Sequence, residues 1–420
     1  MKPKRMVRQK EQHIWSLFSG AMGLDLGLES VGLGPSLCVE LDKGCCATIS
    51  QNRPDLRVLN ADITKLSGKD LRNASGDHHE VLLMVGGPPC QSFSPGGKRA
   101  ALSDPRGNLI YEYLRLIGEV RPQFFILENV ANLTTAALRH RPIKDRPGQH
   151  WSLKKYDYMQ SSGNEGNDAL DEDEKSGSAI KQILFDVETL GYGVSFGVLD
   201  AADFGVPQHR LRFVMIGSRD GSPLTMPEPT HGQGPGHRPF ATLRDTIYDL
   251  RLSPGPHSKY TEKFLRLFEL IQPGKNWRSL PPELQKIALG GAFESGGGKT
   301  GFFRRLSWDA PAPTITGKSN RKASAICHPE FTRPLSVREC ARIQGFPDEW
   351  EFSGAMNQQY LQIGNAVPVG LGQAIGKAIC SATPRANSFT SEVQLDMALR
   401  KLRASARNKV SKVTASLQLF

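Results

Sequence analysis

The stretch GGPPCQSFSPGG, from Gly86 to Gly97, places one cysteine, Cys90, directly behind two prolines. The apolar run before it, Val81 to Val85, predicts a buried strand. Because neither a helix nor a central strand continues through two prolines, the chain must leave the strand here and hold the thiol on a stiff turn. Such a turn suits a nucleophilic cysteine. The alternative is a proline-rich connector in which the cysteine has no chemical role.

Two further motifs carry ionisable groups that could act on a substrate. Glu128 lies near the end of the apolar run FFILENV, where partial burial would raise its pKa and let it act as an acid near neutral pH. The alternative is a carboxylate that caps the next segment. Arg210 and Arg212 alternate in QHRLRFVMIG, so both guanidinium groups should project from one face of a strand. They either pair with carboxylates or neutralise an anionic ligand, and their positions leave both interpretations open.

Polar and glycine residues at predicted strand ends favour a nucleoside-containing cofactor. Gly20 and Gly23 in SLFSGAMGLDLG lie between a strand and a helix, where missing side chains let the backbone approach a ligand. Glu40 follows the second strand, where such sheets place an acid on a ribose diol, and Asp62 ends the third. The GxGxxG pattern of dinucleotide sites lacks one glycine here. Each of these residues, taken alone, more often has only a structural role. Their occurrence in this order at successive strand ends favours a nucleoside-containing cofactor.

The elements that must position these residues alternate in type along the chain. Short apolar runs separated by helix-like segments indicate a doubly wound α/β sheet, in which ligands bind at the carboxyl ends of the strands. Helical periodicity returns in SVRECARIQGF and VPVGLGQAIGKAIC. A capping box at Ser391 predicts a last helix with Leu395, Leu399 and Leu402 on one face. The predicted strands are HIWSLF, PSLCVELD, VLNADI, EVLLMVGG, QFFILENV and VSFGVLDAADFG.

Composition and charge narrow the class of protein. The chain has 53 Lys and Arg against 42 Asp and Glu, a formal net charge of +11, which favours a polyanionic partner. Seven cysteines without a CxxC pair predict reduced thiols, with neither a disulfide framework nor a metal site. Neither a signal peptide nor a run long enough to cross a membrane is present. We therefore expect a soluble cytoplasmic protein.

Eight motifs occur in an order that resembles the DNA cytosine-5 methyltransferases of bacterial type: FSGAMGLDLG, the Glu40 strand, ADI, GGPPCQSFS, ENV, FGVPQHRLR, RPLSVRECARIQGFP and IGNAVPV. The resemblance covers about residues 14–217 and 333–382. It implies a Rossmann-like sheet of the kind that uses S-adenosylmethionine, together with a smaller, loop-rich target-recognition domain. We predict a catalytic domain over 12–217 and 334–382 with a flexible insertion at 138–178, the target-recognition domain over 218–333, and a basic C-terminal tail over 383–420.

The resemblance also implies the chemistry. The Cys90 thiolate would add to cytosine C6 and so raise the electron density at C5, which accepts the methyl group of S-adenosylmethionine. Glu128 would contact N3 and the exocyclic amine, and Arg212, with Arg210 beside it, would orient the base. Because a base inside a duplex cannot meet a thiol in this way, the target cytosine must be flipped out.

The same resemblance assigns the binding residues. Ser16 departs from the aspartate that the family often has there, and Leu41 stands where an aromatic residue often lies against adenine. DNA contacts are predicted at Gln91 and Ser94 and, from the basic stretch FFRRLSWDAPAPTITGKSNRK, at Arg304, Arg305 and Lys318. The cofactor residues implied are Phe18, Gly20, Gly23, Leu24, Glu40, Leu41, Asp62, Ile63, Pro89, Leu109, Asn365 and Val367.

Three other functions compete with DNA methylation. One is a nicotinamide-dependent dehydrogenase on the same kind of sheet, against which the missing GxGxxG pattern and the PPC turn argue. A branch of the family with the same PPCQ architecture methylates transfer RNA, but its Cys-Phe-Thr signature is missing from this sequence. A DNA-binding regulator with an inactive methyltransferase core is the third, and the complete set of Cys90, Glu128 and Arg212 argues against it. We therefore expect a monomer that acts on double-stranded DNA, with a restriction endonuclease of the same specificity as a further candidate partner.

Overall fold

The computed structural model describes residues 13–76, 79–89, 109–139, 171–221, 224–294, 301–318, 321, 324–381 and 392–416. Its centre is a seven-stranded sheet with the order β3-β2-β1-β4-β5-β7-β6. Neighbours among β1 to β5 are parallel, whereas β7 runs antiparallel to both β5 and β6. The strands are β1 (His13–Leu17), β2 (Leu37–Glu40), β3 (Arg57–Asn60), β4 (Val81–Gly86), β5 (Phe124–Val130), β6 (Gly193–Asp200) and β7 (Leu211–Ser218). This confirms the predicted α/β sheet.

Helices cover both faces of the sheet, as the alternating pattern predicts. The five that connect or flank the strands are α1 (Gly23–Glu29), α2 (Lys43–Asn52), α3 (Gly68–Ser75), α4 (Leu109–Val120) and α5 (Ser178–Thr189). Three short ones follow β7: α6 (Leu243–Ile247), α7 (Glu262–Glu269) and α8 (Pro282–Leu289). The C-terminal helices are α9 (Val337–Ile343), α10 (Met356–Asn365), α11 (Val369–Cys380) and α12 (Glu392–Ser416).

The central strands are fully buried, which fixes the position of their carboxyl ends. Apolar side chains of β4 and β5 pack on both faces of the sheet, and Tyr113 of α4 is buried between them. The Tyr113 hydroxyl lies 2.9 Å from the Met84 carbonyl oxygen and 2.8 Å from that of Ile126. Since a buried hydroxyl group needs a hydrogen-bond partner, this contact ties α4 to the backbone of both strands. The ends of β4 and β5 are therefore held side by side.

Glycines let α1 and α11 approach each other closely. A side chain at Gly27 would place its Cβ 2.2 Å from the Val369 carbonyl oxygen, and one at Gly23 would come equally close to that of Val367. The sequence alone suggests that Gly23 leaves room for a ligand. In the structure the space beside its Cα is occupied by the segment that precedes α11, so Gly23 brings that segment to the turn between β1 and α1.

The segment between β7 and α9 forms a smaller body with its own core. Aromatic residues of α7 and its surroundings pack together, among them Tyr260, Phe268 and Phe303. A two-stranded parallel pair, β8 (Arg304–Arg305) and β9 (Ile326–Cys327), lies beside them. A second cluster joins this body to α1, α2 and α9, for example through Met22, Ile315 and Ile343. The loop-rich region is thus packed against the sheet domain through a shared apolar layer.

The predicted C-terminal helix is present and packs on the sheet domain. Ser391 lies outside the described residues, and the helix is described from Glu392 onward. Leu399 and Leu402 are buried in the main core cluster, with β6 and the turn after β5 as neighbours. No helix of the described ranges is both long and apolar enough to cross a bilayer.

Candidate active site

A cavity of about 1140 Å³ opens at the carboxyl ends of β1, β2, β4 and β5. It is lined by the acid predicted at the end of β5, Glu128, and by both arginines of the QHRLR motif, Arg210 and Arg212. The structure therefore brings the candidate reactive groups and the candidate cofactor residues to one place. The lining includes all twelve predicted cofactor positions: Phe18, Gly20, Gly23, Leu24, Glu40, Leu41, Asp62, Ile63, Pro89, Leu109, Asn365 and Val367.

Glu128 and Arg212 form a buried ion pair in this cavity. The Arg212 Nε atom lies 2.7 Å from Glu128 Oε1. The pairing register explains the contact: Arg212 stands opposite Val130 in the antiparallel β5–β7 pair, so that Glu128, two residues earlier, is its diagonal neighbour on the same face. Arg212 Nη1 also donates to the carbonyl oxygen of Leu211 at 2.9 Å. The guanidinium group is thus held against the carboxyl group from two sides.

Burial raises the pKa of the Glu128 carboxyl group, and the neighbouring Arg212 and Arg210 cations partly offset this effect. Only 7% of the residue is exposed. A carboxyl group with a raised pKa keeps a larger neutral fraction near neutral pH, and in that form it donates a hydrogen bond. Glu128 can therefore donate a proton or a hydrogen bond to an acceptor atom in the cavity.

The GGPP turn after β4 leaves room for this carboxyl group. A Cβ atom at position 87, which Gly87 lacks, would lie 3.2 Å from Glu128 Oε2, so a side chain there would press on the acid. Asn129 Nδ2 donates to the Pro88 carbonyl oxygen at 3.1 Å and ties the turn to β5. Pro89, the last described residue of this segment, lines the cavity. The predicted nucleophile and the two predicted DNA contacts after it lie outside the described residues: Cys90, Gln91 and Ser94.

Arg210 is a buried clamp between segments that are distant in sequence. Its Nη1 donates to the Ile315 carbonyl oxygen at 2.9 Å and its Nη2 to that of Gly364 at 2.8 Å. Gln208 assists: its side chain accepts from the Ile315 backbone N–H at 2.8 Å and donates to Gln344 at 2.9 Å. The two arginines therefore differ in role, because Arg210 fixes the backbone around the cavity whereas Arg212 contacts the acid.

The turn that precedes Arg210 is held by a second buried pair. His209 Nδ1 lies 2.8 Å from Asp200 Oδ2, and the other carboxylate oxygen accepts the Arg210 backbone N–H at 2.8 Å. Both side chains are buried. Asp200 at the end of β6 thus closes the loop that leads into β7 and fixes the position of Arg210 just before that strand begins.

On the opposite wall, Glu40 joins two turns and faces the cavity. Its Oε2 accepts from the Gly20 backbone N–H at 2.8 Å and its Oε1 from that of Asp42 at 2.8 Å. Gly20 and Phe18 have positive φ angles of 53° and 58°, which curl the β1–α1 turn around the cavity. Each carboxylate oxygen retains acceptor capacity toward a ligand diol.

The neighbouring positions provide an acid and an apolar surface. β3 ends at Asn60, and Asp62 begins the following turn, where its side chain accepts from the backbone N–H and hydroxyl of Thr64. These hydrogen bonds lower the pKa of Asp62 and keep it ionised. Leu41 projects into the opening with 65% of its surface exposed. Glu40 could bind a ribose diol, Asp62 an amino group and Leu41 an apolar ring, so the three together fit a nucleoside-containing cofactor.

Two predicted DNA contacts need correction. Arg304 and Arg305 are 4% and 8% exposed, and lie inside the smaller body rather than on its surface. Arg305 donates to the Thr332 hydroxyl at 2.6 Å and to the Ile271 carbonyl oxygen at 3.3 Å. The basic pattern alone could not distinguish a surface arginine from one that satisfies backbone groups inside a small core. Lys318 is exposed, and follows two residues of the cavity wall at positions 316 and 317.

A buried acid that no sequence motif singled out also shapes the site. Asp25, the third residue of α1, lines the cavity and is 1% exposed. Ser16 forms a hydrogen bond to its carboxyl group, whereas Oδ1 has no hydrogen-bond partner among the described residues. Burial raises the pKa of Asp25 to about 7. The serine at position 16, where the family often has an aspartate, is the one sequence feature that points to Asp25, because the two side chains are partners.

We expect Asp25 to make stability depend on pH. Between about pH 4 and pH 7 the folded state keeps a proton that the unfolded chain releases, so the free energy of unfolding falls as pH rises. In Asp25→Asn the fall from pH 5 to pH 8, measured by urea unfolding, should shrink by roughly 2–3 kcal/mol. Asp55→Asn, at an exposed position, is the control. An unchanged pH dependence in Asp25→Asn would contradict this assignment.

Known proteins resemble the chain over most of its length. It is 36% identical over 375 residues to the Type II methyltransferase M.Sau96I of Staphylococcus aureus, covering 89% of this chain and 76% of that protein. It is 35% identical over 384 residues to M.Eco47II of Escherichia coli, covering 89% and 80%. For M.PspPI of Psychrobacter the values are 37% over 378 residues, 86% and 77%. All three are Type II methyltransferases.

Solved structures share the fold at lower identity. A DNA modification methyltransferase encoded within an E. coli prophage matches with a TM-score of 0.55 and 19% identity, over 88% of this chain and 99% of that one. A DNMT2 variant from Spodoptera frugiperda matches with a TM-score of 0.52 and 15% identity, over 88% and 100%. The family model for C-5 cytosine-specific DNA methylases matches residues 13–144 and 170–381. The chain therefore belongs to the C-5 cytosine-specific DNA methylase family.

Proposed function

We propose that this protein methylates carbon 5 of cytosine within a short sequence of double-stranded DNA, through a covalent adduct with Cys90 on a flipped-out base. The Glu128–Arg212 ion pair carries this proposal, because it places an acid beside the turn that leads to Cys90. The same cavity contains the acids and apolar groups that fit the cofactor. Glu128 and the predicted cofactor residues thus line one cavity, and the turn that precedes Cys90 borders it.

Cys90 is the proposed nucleophile. It follows Pro89, a cavity residue, by one position in the chain. Its thiolate forms the S–C6 bond, and the electron pair of the C5=C6 double bond moves toward C5 and into the ring. Without that addition, C5 is too poor a nucleophile to accept a methyl group. Methyl transfer to C5 would leave S-adenosylhomocysteine. A water molecule then takes the C5 proton, the electron pair of that C–H bond forms the C5=C6 bond again, and the thiolate leaves C6.

Glu128 stabilises the adduct in this proposal. Addition at C6 increases negative charge at N3, and a neutral carboxyl group donates its proton, or a strong hydrogen bond, to that atom. Burial raises the pKa of Glu128 and so favours the neutral form, although the neighbouring Arg212 and Arg210 oppose this effect. Arg212 keeps the carboxyl group in place through the 2.7 Å contact. Arg210 fixes the start of β7 relative to the backbone at Ile315.

The cofactor is S-adenosylmethionine, which supplies the methyl group as an electrophile when bound. We assign Glu40 to the ribose hydroxyls, because its carboxylate faces the cavity from the end of β2. Asp62 and Ile63 line the neighbouring wall and are assigned to the adenine. Asn365 and Val367 close the wall on the side of α1, where the backbone of the two segments meets.

We assign DNA as the substrate because of the family to which the chain belongs and because of its positive net charge. The net charge of +11 matches a polyanion, and the relatives at 35–37% identity are Type II methyltransferases. We propose that the smaller body reads the sequence, that a restriction endonuclease recognises the same site, and that the enzyme acts as a monomer. Lys318, exposed beside the cavity, is placed to contact a phosphate.

Leu41 offers a direct test of the cofactor site. Replacing it with tryptophan should add an aromatic face next to the adenine and tighten binding of S-adenosylmethionine about threefold to tenfold, as measured by calorimetric titration. Leu41 is mostly exposed, so the change removes little packing. Leu252→Trp, at a leucine that is 74% exposed and outside the cavity, is the matched control. Equal affinities for all three proteins would contradict the placement of adenine beside residue 41.

The reaction itself is tested by bisulfite sequencing of genomic DNA from a methylation-free bacterial host. Expression of the wild-type protein should protect cytosines in one short sequence. Cys90→Ser should protect none, because serine cannot add to C6 at a useful rate, and Glu128→Gln should protect far fewer. Glu188→Gln makes the same exchange at an exposed position of α5, away from the cavity, and should behave as the wild type. Soluble wild-type protein without any protected cytosine would contradict the proposed function.

A further inference from the structure

The C-terminal helix α12 lies outside the part of the chain that defines the family. The family model ends at residue 381, and α12 begins at Glu392. The helix is nevertheless docked, because Leu399, Leu402 and Ala406 are buried in the main core cluster. A docked helix presents a fixed outer face, so its exposed side chains have a defined position relative to the sheet.

Charge on this helix is all of one sign from residue 397 to its end. Six cations occur there and no acid: Arg400, Lys401, Arg403, Arg407, Lys409 and Lys412. Arg403 donates to the Ser176 carbonyl oxygen at 3.2 Å, and Lys409 pairs with Asp203 at 2.8 Å. These two cations anchor the helix to the body of the protein.

The other four cations point to solvent. Arg400, Lys401, Arg407 and Lys412 are exposed, and none of them forms an ion pair with any residue that the structure describes. At 100° per residue, Arg400 and Arg407 lie on one flank of the exposed side of the helix, and Lys401 and Lys412 lie on the other flank. Uncompensated like charges on one helix surface repel each other, which costs stability unless an anion neutralises them.

The anchors hold α12 against turns at the edge of the sheet that carries the active site. α12 packs on the turn Ala131–Thr135, which directly follows β5 with its Glu128 and Val130. Lys409 reaches Asp203 in the turn after β6, beyond the carboxyl end of that strand. The cavity opens at the carboxyl end of β5, next to the first of these turns. A duplex seated at the cavity would need to extend only past β5 and β7 to meet the helix.

We propose that the exposed face of α12 binds the phosphates of duplex DNA outside the recognised sequence. This inference rests on the proposed function, since it requires that DNA occupies the cavity edge. The contacts would add affinity without sequence preference, because lysine and arginine on a helix surface meet the backbone and not the base edges. Longer duplexes should therefore bind more tightly than duplexes that cover only the active site.

The test is a fluorescence-anisotropy titration with random-sequence duplexes of 12 and 30 base pairs over a range of salt concentrations. The variant is R400Q/K401Q/R407Q/K412Q. On the 30-base-pair duplex it should bind at least tenfold more weakly than the wild type, and its salt slope should fall by about 2–4. On the 12-base-pair duplex the two proteins should differ by less than about threefold.

A pairwise comparison controls for the loss of net charge. K401Q/K412Q should weaken binding to the long duplex, whereas K69Q/K377Q, which removes two exposed lysines from α3 and α11, should not. Equal salt slopes and equal affinities of the fourfold variant and the wild type on both duplexes would overturn the role of α12. Failure of the wild type to bind any duplex would instead contradict the proposed function, so the two failures are distinguishable.

Discussion

Burial of the Glu128 carboxyl group beside the Arg212 guanidinium group constrains the rest of the site. Removing one partner of a buried ion pair typically lowers the free energy of unfolding by about 3–5 kcal/mol. The fold must therefore bring both side chains to the same place. Their meeting depends on the register of β5 and β7 and on the absence of a side chain at Gly87. The position of an acid next to the GGPP turn thus follows from strand pairing and from the lack of a Cβ atom.

A polar network connects this pair to the smaller body. Arg210 and Gln208 satisfy backbone groups of residues 315 and 364, so β7, the segment after β8 and helix α10 are fixed together by one buried cluster. Such a network is costly if any member is left unpaired, because buried polar groups lose their hydrogen bonds to water. The same residues that shape the cavity therefore also set the position of the smaller body.

Much of this arrangement could be predicted from the sequence. The strand ends, the GGPP turn and Glu128 are local patterns, and the structure places the predicted cofactor positions around one cavity. Arg304 and Arg305, predicted as DNA contacts, are buried instead. Burial of an arginine depends on carbonyl and hydroxyl partners distant in sequence, which for Arg305 belong to residues 271 and 332. Asp25 and Gln208 could not be predicted for the same reason. Their roles depend on contacts with residues elsewhere in the chain, such as Ser16 for Asp25 and Ile315 for Gln208.

The central claim is that the thiol of Cys90 adds to cytosine with help from Glu128. The most direct measurement is covalent trapping on long duplex DNA in which 5-fluorocytosine replaces cytosine, with S-adenosylmethionine present and products separated under denaturing conditions. Fluorine at C5 cannot leave as the proton does, so the adduct persists. The account predicts a stable protein–DNA adduct for the wild type, none for Cys90→Ala, and formation slowed on the order of 100-fold or more for Glu128→Gln. An adduct that forms equally well without the Cys90 thiol, or at an unchanged rate in Glu128→Gln, would contradict it.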